Sequence, residues 1–111
     1  MKLTFLDPGQ LRTEMTMQNA VETPDGSGGF VVTWVDIAIV WCAIEALSPR
    51  TESFGGRQID EASHRVTMRY RGDVKPGQRL VGQNASYRIQ LTSDLDGTGR
   101  YLTCFMLEER P

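Results

Sequence analysis

Apolar and polar residues alternate along several short stretches of this chain, and clusters of Gly, Pro, Asp and Asn separate them. The clearest case is 64–91. Over 64–70, Val66, Met68 and Tyr70 fall on one side and Arg65, Thr67 and Arg69 on the other, the period of two of a half-buried strand. Residues 72–77, Gly-Asp-Val-Lys-Pro-Gly, supply turn chemistry. A brief strand at 79–81 and a second turn at 82–85 lead to 86–91, which alternates again with Tyr87, Ile89 and Leu91 facing in. This meander predicts three strands whose outward side carries Arg65, Arg69, Arg71, Arg79 and Arg88.

The remaining segments extend the same picture. Residues 1–10 read as an extended N-terminal arm with a turn at Asp7-Pro8-Gly9, too short to fold without docking. Loose alternation over 11–21 predicts a strand, and 23–29, with three glycines and a proline, a flexible hairpin loop. Residues 30–47 form the longest apolar stretch, rich in Val, Ile and Trp, which favours one long strand covered on both faces. A buried helix over 37–47 is the alternative reading of that run. Asp36 interrupts one apolar face and marks a bend or bulge. Residues 48–63 show no sustained period, with one helical turn expected near Asp60-Glu61-Ala62; a connection this long in a compact domain points to mobility or function. A turn at 94–99 precedes 101–107, apolar on both faces as a central strand is. The sum is an all-β fold: a small single-domain β-barrel or sandwich spanning 1–111, with about six short strands and long loops.

Length and composition agree. For 111 residues and 12.4 kDa, scaling gives about 6,100 Å² of folded surface against about 18,000 Å² unfolded, so one modest core forms without staples. The net charge of −2 implies no general affinity for nucleic acid, so any basic surface is local. Cys42 and Cys104 sit in apolar runs and are expected as buried, reduced thiols. The first ten residues lack the pattern of a signal peptide, and no apolar run reaches the length of a membrane span, so the chain is expected to be made in the cytoplasm with no membrane partner.

Catalytic chemistry finds few carriers. The single histidine, His64, opens a strand with no neighbouring base; one histidine and two separated cysteines do not make a zinc set. Asp94, Asp96 and Gly97 resemble a calcium loop but lack the bidentate Glu, and read as a turn. Arg71-Gly72-Asp73 spells an adhesion motif that turn chemistry explains equally well, and Asn84-Ala85-Ser86 is a glycosylation sequon without meaning in the cytoplasm. No enzyme activity, cofactor or metal is expected. Two features remain as contact surfaces. The arginine face suits phosphate or an acidic protein surface, although a solvated strand face reads the same way. The loop 48–63 offers Arg50, Glu52, Phe54, Arg57 and Gln58.

Several stretches taken in order carry a resemblance. Leu11-Arg12, Gly28-Gly29, the run Thr33-Trp34-Val35-Asp36 and the run from Val40 to Leu47 are followed by Ala62 to Arg71, then Arg79-Leu80-Val81 and Tyr87-Arg88-Ile89. Together they resemble the tailed-phage head–tail joining family, the head-closure or stopper proteins, which related particles such as gene transfer agents also use. The resemblance implies a small β-barrel with a long loop and a structural role. Copies would form a ring beneath the portal and adaptor, close the channel after DNA packaging and give the tail a docking surface. Its arginines would touch packaged DNA without reading sequence. Pro49-Arg50-Thr51-Glu52 stands where the family has a Gly-Arg-Glu-like segment. Two rivals stand beside this reading: another neck component, adaptor or tail terminator, and a free-standing OB-like barrel for single-stranded nucleic acid. The second requires Tyr70, Tyr87 and Tyr101 to be exposed, whereas the alternation places them mostly inside.

Overall fold

A computed structural model of the chain describes residues 8–47, 53–54, 57–58, 62–94 and 97–109. After a short 3-10 turn, Pro8–Gln10, come eight strands: β1 (Thr13–Pro24), β2 (Phe30–Ala46), β3 (Ser53–Phe54), β4 (Arg57–Gln58), β5 (His64–Arg69), β6 (Arg79–Val81), β7 (Ser86–Ser93) and β8 (Tyr101–Glu109). Six of them close into an antiparallel barrel in the order β1-β2-β5-β8-β7-β6, and β3 and β4 pair as a separate two-stranded piece. The alternating stretches thus give the expected all-β barrel. Residues 37–46 belong to β2, so the helix weighed for 37–47 does not form. The 48–63 connection holds the β3–β4 pair, while the helical turn expected near Asp60 and the arm over 1–7 fall outside the described residues.

Inward side chains fill the barrel. Met15, Met17, Val40, Cys42, Val66, Met68, Leu80, Ile89, Leu102, Cys104 and Met106 are all buried and form one cluster. Four methionines among them suit an irregular interior, because an unbranched thioether adapts to the space left by neighbours. Both faces of β8 are buried: Leu102, Cys104 and Met106 point into the barrel, and Thr103 and Phe105 lie on its other face. The central position expected for this strand holds.

Two bulges change which side chains face where. Between Met17↔Ala38 and Gln18↔Asp36 the register shifts and Ile37 has no partner on β1, one residue from the break expected at Asp36. An extra residue exchanges the faces of everything beyond it. Val40 and Cys42 therefore face inward, whereas Trp34 and Val32 continue the outer face of Ile39 and Trp41. The second bulge, at Gln90, places Leu91 opposite Phe105, on the other face of β8 from Cys104 and Met106, which point into the barrel. The inward Leu91 expected from simple alternation is corrected by this inserted residue. Tyr70, expected to point inward, lies just past the end of β5 and is 49% exposed.

The largest departure is the reach of β1 and β2. Past the Ile37 bulge, residues 19–24 and 30–35 pair with each other alone, as a two-stranded ribbon extending roughly 20 Å at 3.4 Å per residue. The molecule measures 50 × 29 × 27 Å, and its 7338 Å² of surface exceeds the value expected for a compact chain of this mass. The ribbon is not covered twice: Phe30, Val31, Val32, Val35 and Val21 are about half exposed. At its tip, the expected flexible loop is a tight turn. Asp25 Oδ1 accepts from the amides of Ser27 (2.7 Å) and Gly29 (3.1 Å), and the Asp25 amide donates to the Gly29 carbonyl at 3.0 Å. Gly26 and Gly28 adopt φ of 84° and 87°, which side chains disfavour.

Candidate functional site

The ribbon and the two turns beside it make one end of the barrel. Gln78 fixes this end from inside: it is 3% exposed, donates through Nε2 to Asn19 Oδ1 and the Asp73 carbonyl (both 2.8 Å), and accepts from the Lys75 amide at 2.9 Å. A buried amide with its partners in place ties the 70–78 loop to the root of the ribbon. Beside it, the Tyr70 amide donates to the Arg100 carbonyl at 2.9 Å, and Arg69 pairs with Tyr101. Arg69, Tyr70, Lys75 and Arg100 thus gather at the ribbon end.

The opposite end is where the chain leaves β2 and returns to β5. The Leu47 amide donates to the Ser63 carbonyl at 2.9 Å, closing the base of the 48–62 excursion, and the Ser63 amide donates to the Met106 carbonyl at 2.8 Å. Ser63 Oγ accepts from the Glu108 amide at 2.8 Å and lies 2.8 Å from His64 Nδ1. The His64 ring packs edge-on to Tyr87 at 4.8 Å. His64 is therefore a packed, hydrogen-bonded residue held by Ser63 and Tyr87. Among the described residues no three His, Cys, Asp or Glu side chains are placed to hold a metal.

The arginine face exists, but most of it is occupied from within. Arg65 pairs with Glu45 across β5 and β2. Arg71 grips Asp73 with two bonds, Nε–Oδ1 at 3.1 Å and Nη2–Oδ2 at 3.0 Å, which raises the guanidinium pKa and lowers that of the carboxyl. The adhesion-like tripeptide is thus closed on itself. Arg79 and Arg88 stand directly opposite one another on β6 and β7, where like charges repel. Three groups offset the repulsion. Both guanidinium carbons sit over the Trp34 ring, at 4.3 and 4.7 Å from its centroid; Arg79 Nε donates to Gln18 Oε1 at 2.9 Å; and Arg88 Nη2 pairs with Glu109 at 2.9 Å. Of the five arginines, Arg69 and Arg79 have no ion-pair partner among the described residues, and Arg79 is held instead by Gln18 and Trp34. Of the loop candidates, Arg50 and Glu52 lie outside the described residues, and the backbones of Phe54, Arg57 and Gln58 form β3 and β4.

What the sequence reading missed is the exposed apolar side of the ribbon. The β1–β2 register puts Phe30, Val32, Trp34, Ile39 and Trp41 on the outer face, with Glu22 opposite Val32 and Glu14 opposite Trp41. Arg79 and Arg88 cover Trp34, and the other four are exposed; the stripe runs from the barrel wall at Trp41 out along the ribbon and suits contact with another macromolecule.

The comparisons with known proteins agree with that character. The model of the phage head completion protein family matches residues 6–110. The chain belongs to this family. Head completion protein gp7 of Enterobacteria phage HK97 is 27% identical over 86 residues, 78% of this chain and 77% of that protein. A chain in the virion of a native gene transfer agent particle superposes with a TM-score of 0.64 at 26% identity, over 86% of this chain and 91% of that one. Protein SF1141 of Shigella flexneri 2a, known from a solution structure, shares the fold: TM-score 0.66, 20% identity, 93% of this chain and 96% of that one. As a phage head completion protein the chain is a structural component with a connecting or closing role between head and tail. The resemblance of the ordered stretches from Leu11 to Ile89 to the head–tail joining proteins holds.

Proposed function

We propose that this head completion protein is the subunit of a closed ring in the neck of a phage or gene transfer agent. The ring sits below the portal or its adaptor, stops the DNA channel after packaging and presents a surface on which the tail docks. The observation that carries the reading is the two-ended build: a rigid barrel with an apolar ribbon at one end and the clasped 48–62 excursion at the other. A ring subunit needs two different faces for its neighbours and further surfaces above and below, and no active site. The excursion, with Arg50, Glu52, Phe54, Arg57 and Gln58, is the segment assigned to the channel or to the tail. Arginines of the outer face that reach DNA bind its phosphates irrespective of sequence. The protein acts without cofactor or catalysis and assembles in the host cytoplasm. An adaptor of the helical-bundle kind is disfavoured, because the described residues contain no α-helix.

The test is electron microscopy of particles from a strain lacking the gene. Filled or leaking heads beside separate tails are expected. Normal tailed particles would overturn the reading, and heads joined to tails of uncontrolled length would reassign the protein as a tail terminator.

A further inference from the structure

Among the described residues eight large apolar side chains are about half exposed or more, and seven of them lie on β1 and β2. Four of the seven, Phe30, Val32, Ile39 and Trp41, share the outer face, a contiguous exposed apolar stripe of the kind that marks a contact surface. Residues 13–46 carry five carboxylates and no Lys, Arg or His. Three of the five are engaged: Glu45 by Arg65, Asp36 by Gln18 and Asp25 by its own turn. Glu14 and Glu22 have no ion-pair partner among the described residues, and both lie on the outer face with the apolar stripe.

The complementary surface lies on the same molecule. Arg69, Lys75 and Arg100 at the ribbon end of the barrel are exposed or carry exposed neighbours, and none has an ion-pair partner among the described residues. Tyr70, among the described residues the one large exposed apolar side chain outside β1 and β2, stands among them. Each surface thus combines an apolar centre with unpaired charges, and the signs are opposite. Glu14 lies on the barrel wall and Glu22 on the ribbon, which extends away from its own barrel end, so the charges that match Glu22 are those of another copy.

We propose that the outer face of the β1–β2 pair, from Trp41 on the barrel wall to Phe30 on the ribbon, docks on the Arg69–Tyr70–Lys75–Arg100 end of the neighbouring copy. The contact joins two different patches and is therefore heterologous, the kind that closes a ring when the rotation permits. It rests on the ring reading above and names the faces that would make that ring. The apolar stripe supplies the burial, and the charges set orientation and exclude ribbon-on-ribbon pairing, where Glu14 and Glu22 would meet like charge.

The test uses assembled particles. A photoreactive phenylalanine analogue placed at Val32 is expected, on irradiation, to link two copies of this chain, with the second attachment in residues 69–78 or at Arg100. In parallel, Glu14→Arg with Glu22→Arg, and Arg69→Glu with Arg100→Glu, should each lower tailed-particle yield at least about tenfold through like-charge contact. The four changes together should restore most of it. Copies linked ribbon to ribbon, links from Val32 to a different protein only, or no rescue by the combined variant would overturn the proposal while leaving the ring intact. Particles in which this chain links to no copy of itself from any probe position would overturn the ring reading as well.

Discussion

Trp34 holds together two arginines that would otherwise repel. Its ring lies under both guanidinium groups, and each stacked cation contributes about 0.5–2 kcal/mol. Trp34→Ala removes that cover from a directly opposed Arg79–Arg88 pair; a loss of about 2 kcal/mol in denaturant unfolding is expected, with Trp34→Phe losing less. A variant as stable as the parent would show that Gln18 and Glu109 suffice. The cysteines give a second check. Burial pushes Cys42 up to about 11 and Cys104 up to about 12, the latter with a contribution from Cys42. Both thiols are free and buried. Neither should react with a thiol reagent at pH 8 while the chain is folded, and both should react after denaturation. The pH dependence has a definite sign. These thiols ionise more readily in the unfolded chain, so their contribution to stability is whole below the ordinary thiol value of 9.0 and is lost as pH rises toward 11 and 12.

At the scale of the element, the inserted residue Ile37 decides what β2 shows to solvent. Its signal was present in the sequence, because Asp36 breaks an otherwise apolar face. The bulge at Gln90 carried no such mark: a polar residue at an outward position fits regular alternation as well as a bulge does, and only pairing with β8 reveals it. Inserting one residue between Met17 and Gln18 gives Ile37 a partner and restores regular pairing, which turns Gln18, Asp36 and Trp34 to the opposite face and moves Trp34 off Arg79 and Arg88. The expected result is a changed tryptophan emission spectrum and a stability loss at least as large as that of Trp34→Ala. An unchanged spectrum would place the bulge elsewhere. The exposed ribbon was not legible, since strand-forming apolar runs look alike whether both faces are covered or neither is; coverage is a property of what packs against them. The arginine side was legible as a face. Its partners Glu45, Trp34 and Glu109 were not, because they lie 20 to 54 positions away along the chain.

For the whole molecule, the barrel and the ribbon are separable. The buried cluster includes no residue from 18 to 36. Joining Ala20 to Trp34, which pair across the ribbon, through Asn-Gly should therefore leave a cooperatively folding barrel, since that dipeptide suits a two-residue hairpin turn. Scattering should give a smaller radius of gyration than that of the parent, 14.9 Å over Cα positions, and the trimmed protein should fail to support tailed particles. Loss of the folded state would show that the ribbon supports the barrel. The overall fold could be read from alternation and turns because each strand signals itself locally; the separation into a closed body and a projecting limb depends on how strand lengths match, which no single stretch displays.

Closure of the barrel rests on its shortest strand. β6 meets β1 through three residue pairs, against twelve between β1 and β2 and seven between β7 and β8. Side chains stitch the same line, Gln78 to Asn19 and Arg79 to Gln18. The cylinder thus has a seam. Native-state amide exchange should be fastest, among the barrel strands, along Thr16 to Gln18 and Arg79 to Val81. Opening there would turn the cylinder into a curved sheet without breaking the β1–β2 or β7–β8 ladders, so this subunit has a built-in way to flatten under load while its other pairings stay whole.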